Sequence, residues 1–214
     1  SFATTDTPTS FFQEDIKDAI DKNLVPEELQ GSYQSDITRA EYTMLALAVY
    51  DASPTNFDLK ESQPFNDCIG HKYEQGIVAA YNAGIIAGDG KGTFNPDEKI
   101  SRQQVAVMLV NLLKKIAPAR DFNVKNSYTY PDQDSIATWA RYYIDYCFEN
   151  KILYGGTGNT MAPLGNTTIE QSIVLLYRIA KSENMLDSDY GTIEIGNNDG
   201  EPTRIGIKIV ENFI

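Results

Sequence analysis

The stretch Gly84-Ile-Ile-Ala-Gly88-Asp-Gly-Lys-Gly-Thr-Phe94-Asn-Pro96-Asp-Glu-Lys-Ile100-Ser-Arg102-Gln-Gln104 decides the fold of this 214-residue chain. Its glycines supply positions that accept positive φ, and Pro96 closes a turn-rich run ahead of Ser101. Ser101 and Gln104 have the spacing of a capping box, in which the hydroxyl accepts a backbone N–H three residues on and the amide reaches back. An apolar run follows, and Met108, Leu109 and Leu112 fall on one helical face.

The same signature returns on both sides. Thr38 and Glu41 precede Leu45, Ala46 and Val49, while Thr168 and Gln171 precede Leu175, Leu176 and Ile179. Arg39 and Arg102 are 63 residues apart, and Ile169 follows after another 67. A period of about 65 held through three copies is an internal repeat. A second apolar periodicity lies upstream of each box: Ile16, Ile20 and Leu24, then Ile77, Tyr81 and Ile85, then Ile144, Phe148 and Ile152. Copies two and three open on an aromatic-x-Asp turn, Phe65 to Asp67 and Tyr130 to Asp132. Each unit therefore reads helix, turn-rich loop, capped helix. The expectation is an all-α fold of about six principal helices, with repeats over 10–52, 65–117 and 130–182 and the three capped helices packed as a central bundle. Beyond Asp187 the periodicity changes to alternation on either side of Asn197-Asn-Asp-Gly200, which predicts a β-hairpin. Residues 187–214 are either an extension of the repeats or the start of a further domain.

Composition narrows the function classes. Hydrophobic residues make up 42% and charged residues 22%, an ordinary globular balance, and no apolar run approaches a membrane span, so no membrane insertion is expected. A net charge of −12 without a Lys/Arg run argues against nucleic acid. An anionic partner would have to be read by a few placed cations. Cys68 and Cys147 lack metal-ligand spacing, and two buried free thiols are expected rather than one disulfide. The Asp89-Gly-Lys-Gly run lacks the alternating acids of an EF-hand and the Gly-Lys-Ser/Thr ending of a P-loop, so neither metal nor cofactor is expected there. His71, the single histidine, has no nucleophile or ligand pattern around it and reads as a loop residue. No nucleophile–base motif supports catalysis.

The run from Tyr81 to Pro96, followed by Ile100-Ser-Arg102-Gln-Gln, closely resembles the S-layer homology motif. Ile37-Thr-Arg-Ala-Glu41 looks like a first copy, and Trp139 through Lys181 like a divergent third. The resemblance implies three tandem units folded as a pseudo-threefold trimer within one monomeric chain. It further implies non-covalent, non-catalytic binding of a pyruvylated wall polysaccharide in the grooves between copies, and an extracellular location at the cell wall. By the family's pattern, Arg39 and Arg102 are the glycan contacts, and copy three departs from it with Ile169.

The residues support that assignment independently. Each Arg follows an N-cap directly, where free N–H groups and the positive helix end are expected to favour an anion. Trp139 stands where the family has a Trp at the head of the first helix, with Lys72 and Phe11 at the equivalent places. Trp139 reads either as a sugar-stacking platform or as a packing anchor. Lys72 is a candidate substitute for the missing Arg, Lys99 a candidate helper of Arg102, and Asp67 and Asp132 read first as turn and cap residues and second as candidate glycan contacts. The competing function is a structural or protein-interaction scaffold whose glycan sites have degenerated.

Overall fold

Each of the three capping boxes starts a helix in the computed structural model, which describes residues 6–53, 63–183, 185, 190–196 and 202–208. The capped helices are α2 (Arg39–Asp51), α4 (Arg102–Ile116) and α6 (Ile169–Ser182), and the upstream ones are α1 (Gln13–Asp21), α3 (Glu74–Asn82) and α5 (Arg141–Glu149). Glu41 N donates to the Thr38 hydroxyl at 3.2 Å while Thr38 N donates to Glu41 Oε2 at 2.8 Å. Thr168 and Gln171 repeat this reciprocal pair at 3.3 and 3.2 Å. In the middle box Ser101 N donates to Gln104 Oε1 at 2.9 Å, and the Ser101 hydroxyl turns onto the same oxygen at 3.0 Å.

The upstream helices stop one turn earlier than their apolar spacing suggests. Leu24, Ile85 and Ile152 lie beyond the helix ends, because the preceding residues Asn23, Gly84 and Lys151 take positive φ of 57°, 74° and 57°. Their successors fold back: Leu24 N donates to Ala19 O, Ile85 N to Ala80 O and Ile152 N to Cys147 O, at 2.8 to 2.9 Å. This left-handed cap satisfies the last carbonyls and turns the third apolar side chain inward. Glycine suits the position best, yet only copy two has it. Gly88, at the head of the loop, answers a different need: a Cβ there would sit 2.4 Å from the Phe65 ring.

Packing follows cyclic order. Each upstream helix lies on the capped helix of the copy before it: α3 on α2, α5 on α4 and, across the whole chain, α1 on α6. The last pairing carries polar contacts, with Arg178 Nη2 2.7 Å from Asp15 Oδ2 and the Tyr177 hydroxyl donating to Asp18 at 3.1 Å. Helix α2 packs against both α4 and α6. Isolated β-bridges link the segments ahead of the caps in the same rotation: Thr38 with Lys99, Ser101 with Asn166, and Thr168 with Asp36. Ile37, Ile100 and Thr167 occupy the middle of these segments and are all buried.

The core is one apolar cluster drawing on all three copies, including Leu45, Val49, Leu109, Leu112, Leu176 and Ile179. Leu175 is only partly buried. Cys68 and Cys147 are buried free thiols; burial pushes the Cys68 thiol up to about 12 and that of Cys147 higher still. Strands β1 (Tyr190–Gly196) and β2 (Pro202–Lys208) pair antiparallel, with Ile193 opposite Ile205. The expected turn at 197–200 lies outside the described residues.

Candidate functional site

Three junctions arise where a capped helix meets the next copy, and the helix termini there differ from expectation. The first-turn N–H groups are not free. Arg39 N donates to Glu98 O and Ala40 N to Pro96 O; Arg102 N donates to Gly165 O and Gln103 N to Pro163 O; Ile169 N donates to Ser35 O and Glu170 N to Tyr33 O, all at 2.9 to 3.0 Å. Carbonyls of the neighbouring loop thus fill the donors that an anion would use. The side chains, not the helix ends, must do any anion recognition.

At the junction of copies one and two, Arg39 Nε donates to Phe94 O at 2.8 Å, and the guanidinium carbon lies 4.5 Å from the centroid of the buried Phe94 ring. Its two terminal nitrogens have no hydrogen-bond partner among the described residues. Burial lowers the Arg39 pKa, while the carboxylates of Glu98 and Asp67 oppose that shift; a guanidinium stays charged throughout. Lys99 Nζ donates to Asp36 O at 2.7 Å, and Lys99 bridges Thr38, so this lysine belongs with Arg39 rather than Arg102. Lys72 is exposed, with Nζ 4.5 Å from the Tyr73 centroid. It too lies in copy two, at the junction that keeps its Arg, so it does not substitute for the one missing at Ile169. His71 Nε2 is 3.3 Å from Asp97 Oδ1, and its Nδ1 accepts Tyr73 N at 3.1 Å.

At the junction of copies two and three, Arg102 Nε donates to Met161 O and Nη2 to Tyr154 O, both at 3.0 Å, leaving Nη1 without a partner among the described residues. Burial again lowers the guanidinium pKa, opposed by Asp132. Gln103 Oε1 accepts Ala137 N at 3.0 Å, which fixes the turn bearing Trp139 beside the α4 N-terminus. Trp139 is 56% exposed, a half-open ring rather than a buried anchor. Tyr154 and Leu164 are more open still, at 67% and 64%. Neither stood out in the sequence; the signal was present only in comparing copies, where Ala87 and Asp97 hold the equivalent positions.

The third junction is built differently. Ile169 is buried, and Glu170 accepts Thr9 N at 2.9 Å, the Thr9 hydroxyl at 2.7 Å and Gln34 Nε2 at 3.2 Å. Gln34 also donates to Thr7 O at 3.0 Å, so the segment ahead of α1 lies across this junction. A depression of about 210 Å³ nearby, lined by Pro8, Gln13, Ile16, Lys17, Ile20, Asp21 and Tyr33, contains neither Arg39 nor Arg102.

Asp67 and Asp132 have the turn and cap role. Asp67 accepts Phe94 N at 3.0 Å and Asn95 N at 2.7 Å; Asp132 accepts Met161 N at 2.9 Å and Ala162 N at 2.7 Å. Burial would raise both carboxyls, but these N–H donors outweigh it and hold both below the usual range. Each carboxylate thereby fixes the carbonyl that grips the Arg, Phe94 O or Met161 O. No cluster of three His, Cys, Asp or Glu suited to a metal occurs among the described residues, and no helix among them is long and apolar enough to cross a membrane.

Residues 64–106 and 129–168 match the S-layer homology domain. The chain is similar to an amylopullulanase of Thermoanaerobacterium thermosulfurigenes, 30% identical over 66% of the chain and 7% of that protein. It is 27% identical to exoglucanase XynX of Acetivibrio thermocellus over 70% of the chain and 13% of the relative. It is 26% identical to an endoglucanase of Bacillus sp. (strain KSM-635) over 89% and 21%. The chain thus spans no more than about a fifth of these relatives.

Proposed function

We propose that the chain is a non-catalytic anchoring module that holds an exported bacterial protein on the cell wall. Its three copies form a single-chain, monomeric pseudo-trimer, and Arg39 and Arg102 grip an anionic, pyruvylated wall polysaccharide. Two S-layer homology segments support the wall-surface location. The bridges running one-to-two, two-to-three and three-to-one support the trimer reading and extend it to copy one, which neither matched segment covers.

One observation carries the binding assignment. At two equivalent junctions a guanidinium is held through Nε by a neighbouring carbonyl, with terminal nitrogens left over for a ligand. Arg39 keeps both, the arrangement that fits a carboxylate bidentately. Two weak sites on one chain gain avidity on a repeating polymer. Lys99, Lys72 and Trp139 flank these sites as auxiliary contacts, whereas Asp67 and Asp132 support the loops behind them.

The test is sedimentation with purified wall polysaccharide, using Arg39→Ile and Arg102→Ile, which copy the residue nature has at 169. Each single variant should weaken binding about tenfold, the value of one charge-assisted contact, and the double variant should abolish it with secondary structure retained. Undiminished binding by a folded double variant refutes the sites. Ile169 with the acidic Glu170 favours a scaffold role for the third junction, and binding of a protein partner without any saturable glycan signal would extend that role to the whole chain.

A further inference from the structure

Copy one has no aromatic-x-Asp start among the described residues, and a depression lies where that start would pack. The first residues of the upstream helices set the register, so Gln13, Lys17 and Ile20 of α1 correspond to Arg141, Asp145 and Phe148 of α5. In copy three Tyr130 meets all three positions. Its ring centroid is 5.3 Å from the Arg141 guanidinium carbon and 5.4 Å from the Phe148 ring, and its hydroxyl donates to Asp145 at 2.9 Å. In copy two the Phe65 ring lies 5.2 Å from that of Tyr81, the counterpart of Ile20. Phe65 and Tyr130 are both buried. In copy one Gln13, Lys17 and Ile20 instead line the depression of about 210 Å³, together with Pro8 and Tyr33. An apolar cavity of about 150 Å³ is large enough to take up benzene, so the space suits one aromatic ring.

A second observation points to the same part of the unit. Asp67 accepts the N–H groups of Phe94 and Asn95, and Asp132 those of Met161 and Ala162. Asn95 and Ala162 have positive φ of 57° and 46°, and Ser32 repeats this at 47°. Gly31 N and Ser32 N are therefore the matching donors of copy one, and neither has a hydrogen-bond partner among the described residues.

We propose that the depression is a socket for the ring of Phe2, with the Thr4 hydroxyl accepting from the Gly31 and Ser32 N–H groups. Phe2 precedes Gln13 by 11 residues, as Tyr130 precedes Arg141, and Thr4 follows Phe2 by two, as Asp132 follows Tyr130. Six residues separate Phe2 from Pro8, a reach of up to about 20 Å. A hydroxyl is a weaker acceptor than a carboxylate, so the start of copy one depends on its ring more than the other two do. Between socket and α1 the chain crosses the third junction, where Glu170 accepts from Thr9 and Gln34 donates to Thr7 O. With Phe2 seated, residues 2–9 are a strap fastened at both ends beside the N-terminus of α6, and the chain itself closes the third junction. This strap is independent of whether the module binds a polysaccharide.

The experiment puts a thiol on the floor of the socket. In the full chain, Ile20→Cys is labelled with a chromogenic disulfide reagent, to which the buried Cys68 and Cys147 stay silent. Adding Phe2→Ala should speed labelling about tenfold, the loss of protection expected when a local contact opens, with the helical dichroism retained. Toluene at millimolar concentration should slow labelling again in the Phe2→Ala chain and leave the chain that keeps Phe2 unaffected. On the parent background, without the added thiol, toluene should raise the melting temperature of Phe2→Ala and not that of the parent. Equal labelling rates with and without Phe2 would overturn the proposal. So would protection of the parent by toluene, which would show a socket open to rings from outside.

Discussion

Asp132 is a carboxylate whose removal separates loop architecture from ligand contact. Its oxygens accept Met161 N at 2.9 Å and Ala162 N at 2.7 Å. Met161 is fully buried, so its N–H has no water to turn to, and Ala162 has a positive φ of 46° that the loop must enforce. Each charge-assisted bond contributes about 1.5–3 kcal/mol, and partial exposure of the carboxylate places both at the low end. Asp132→Ala should therefore cost about 3 kcal/mol, and Asp132→Asn about half as much, because one carbonyl acceptor survives. For a chain of this size that corresponds to a fall of about 6–12 °C in the melting temperature of the alanine variant. Met161 O accepts Arg102 Nε, so the same change should loosen the guanidinium and expose the neighbouring Trp139. Urea unfolding followed by far-UV dichroism gives the stability, and Trp139 emission in the native baseline gives the local effect. A loss below about 1 kcal/mol with unchanged emission would show that the carboxylate does not hold the loop.

Thr167→Val should stabilise the protein by about 1 kcal/mol, because the Thr167 hydroxyl is buried without a partner among the described residues while Ile37 and Ile100 fill the equivalent places; a lower urea midpoint would contradict it. Asp67 and Asp132 both have lowered native pKa values, so their stabilisation is complete above the unfolded carboxyl value of about 4 and is lost as pH falls through the lower native values. Urea midpoints between neutral and strongly acidic pH should drop less steeply in Asp67→Asn/Asp132→Asn than in the parent, and identical slopes would assign the acid loss to other groups.

The repeat was legible because capping chemistry is local. Thr38 with Glu41 and Thr168 with Gln171 need only their own helix, and three residues of spacing identify them. The ends of α1, α3 and α5 were less legible, since Asn23 and Lys151 adopt a conformation for which only Gly84 carries the usual residue. The helix termini do not offer the anion site that their sequence suggests, for a reason that no local pattern holds. The carbonyls of Glu98, Gly165 and Ser35 that occupy those N–H groups lie more than 50 residues away along the chain. Lys99, read as a helper of Arg102, lies instead across from Thr38, next to Arg39, for the same reason: a residue belongs to the junction its loop faces, not to the helix it precedes. Tyr154 and Leu164 carry no motif, and their exposure beside Arg102 emerges only when the loop of copy three is laid across the end of α4.

The seating of α1 on α6 bears on how the molecule is made. Asp15 meets Arg178 across 163 positions and Asp18 meets Tyr177 across 159, so the pairing that seals the assembly has nearly the greatest sequence separation the repeats allow. Loop closure of that length is the slow, entropically costly step in folding. Of the described helices α1 is made first, yet α6, its main packing partner, is made last. Successive copies acquire their α3–α2 and α5–α4 contacts as they emerge, while the first waits for the last. Before that closure the faces by which α1 and α6 pack on one another are uncovered. At high concentration those two faces suit a neighbouring chain as well as each other, which makes exchange of α1 between molecules the natural way for this architecture to misassemble.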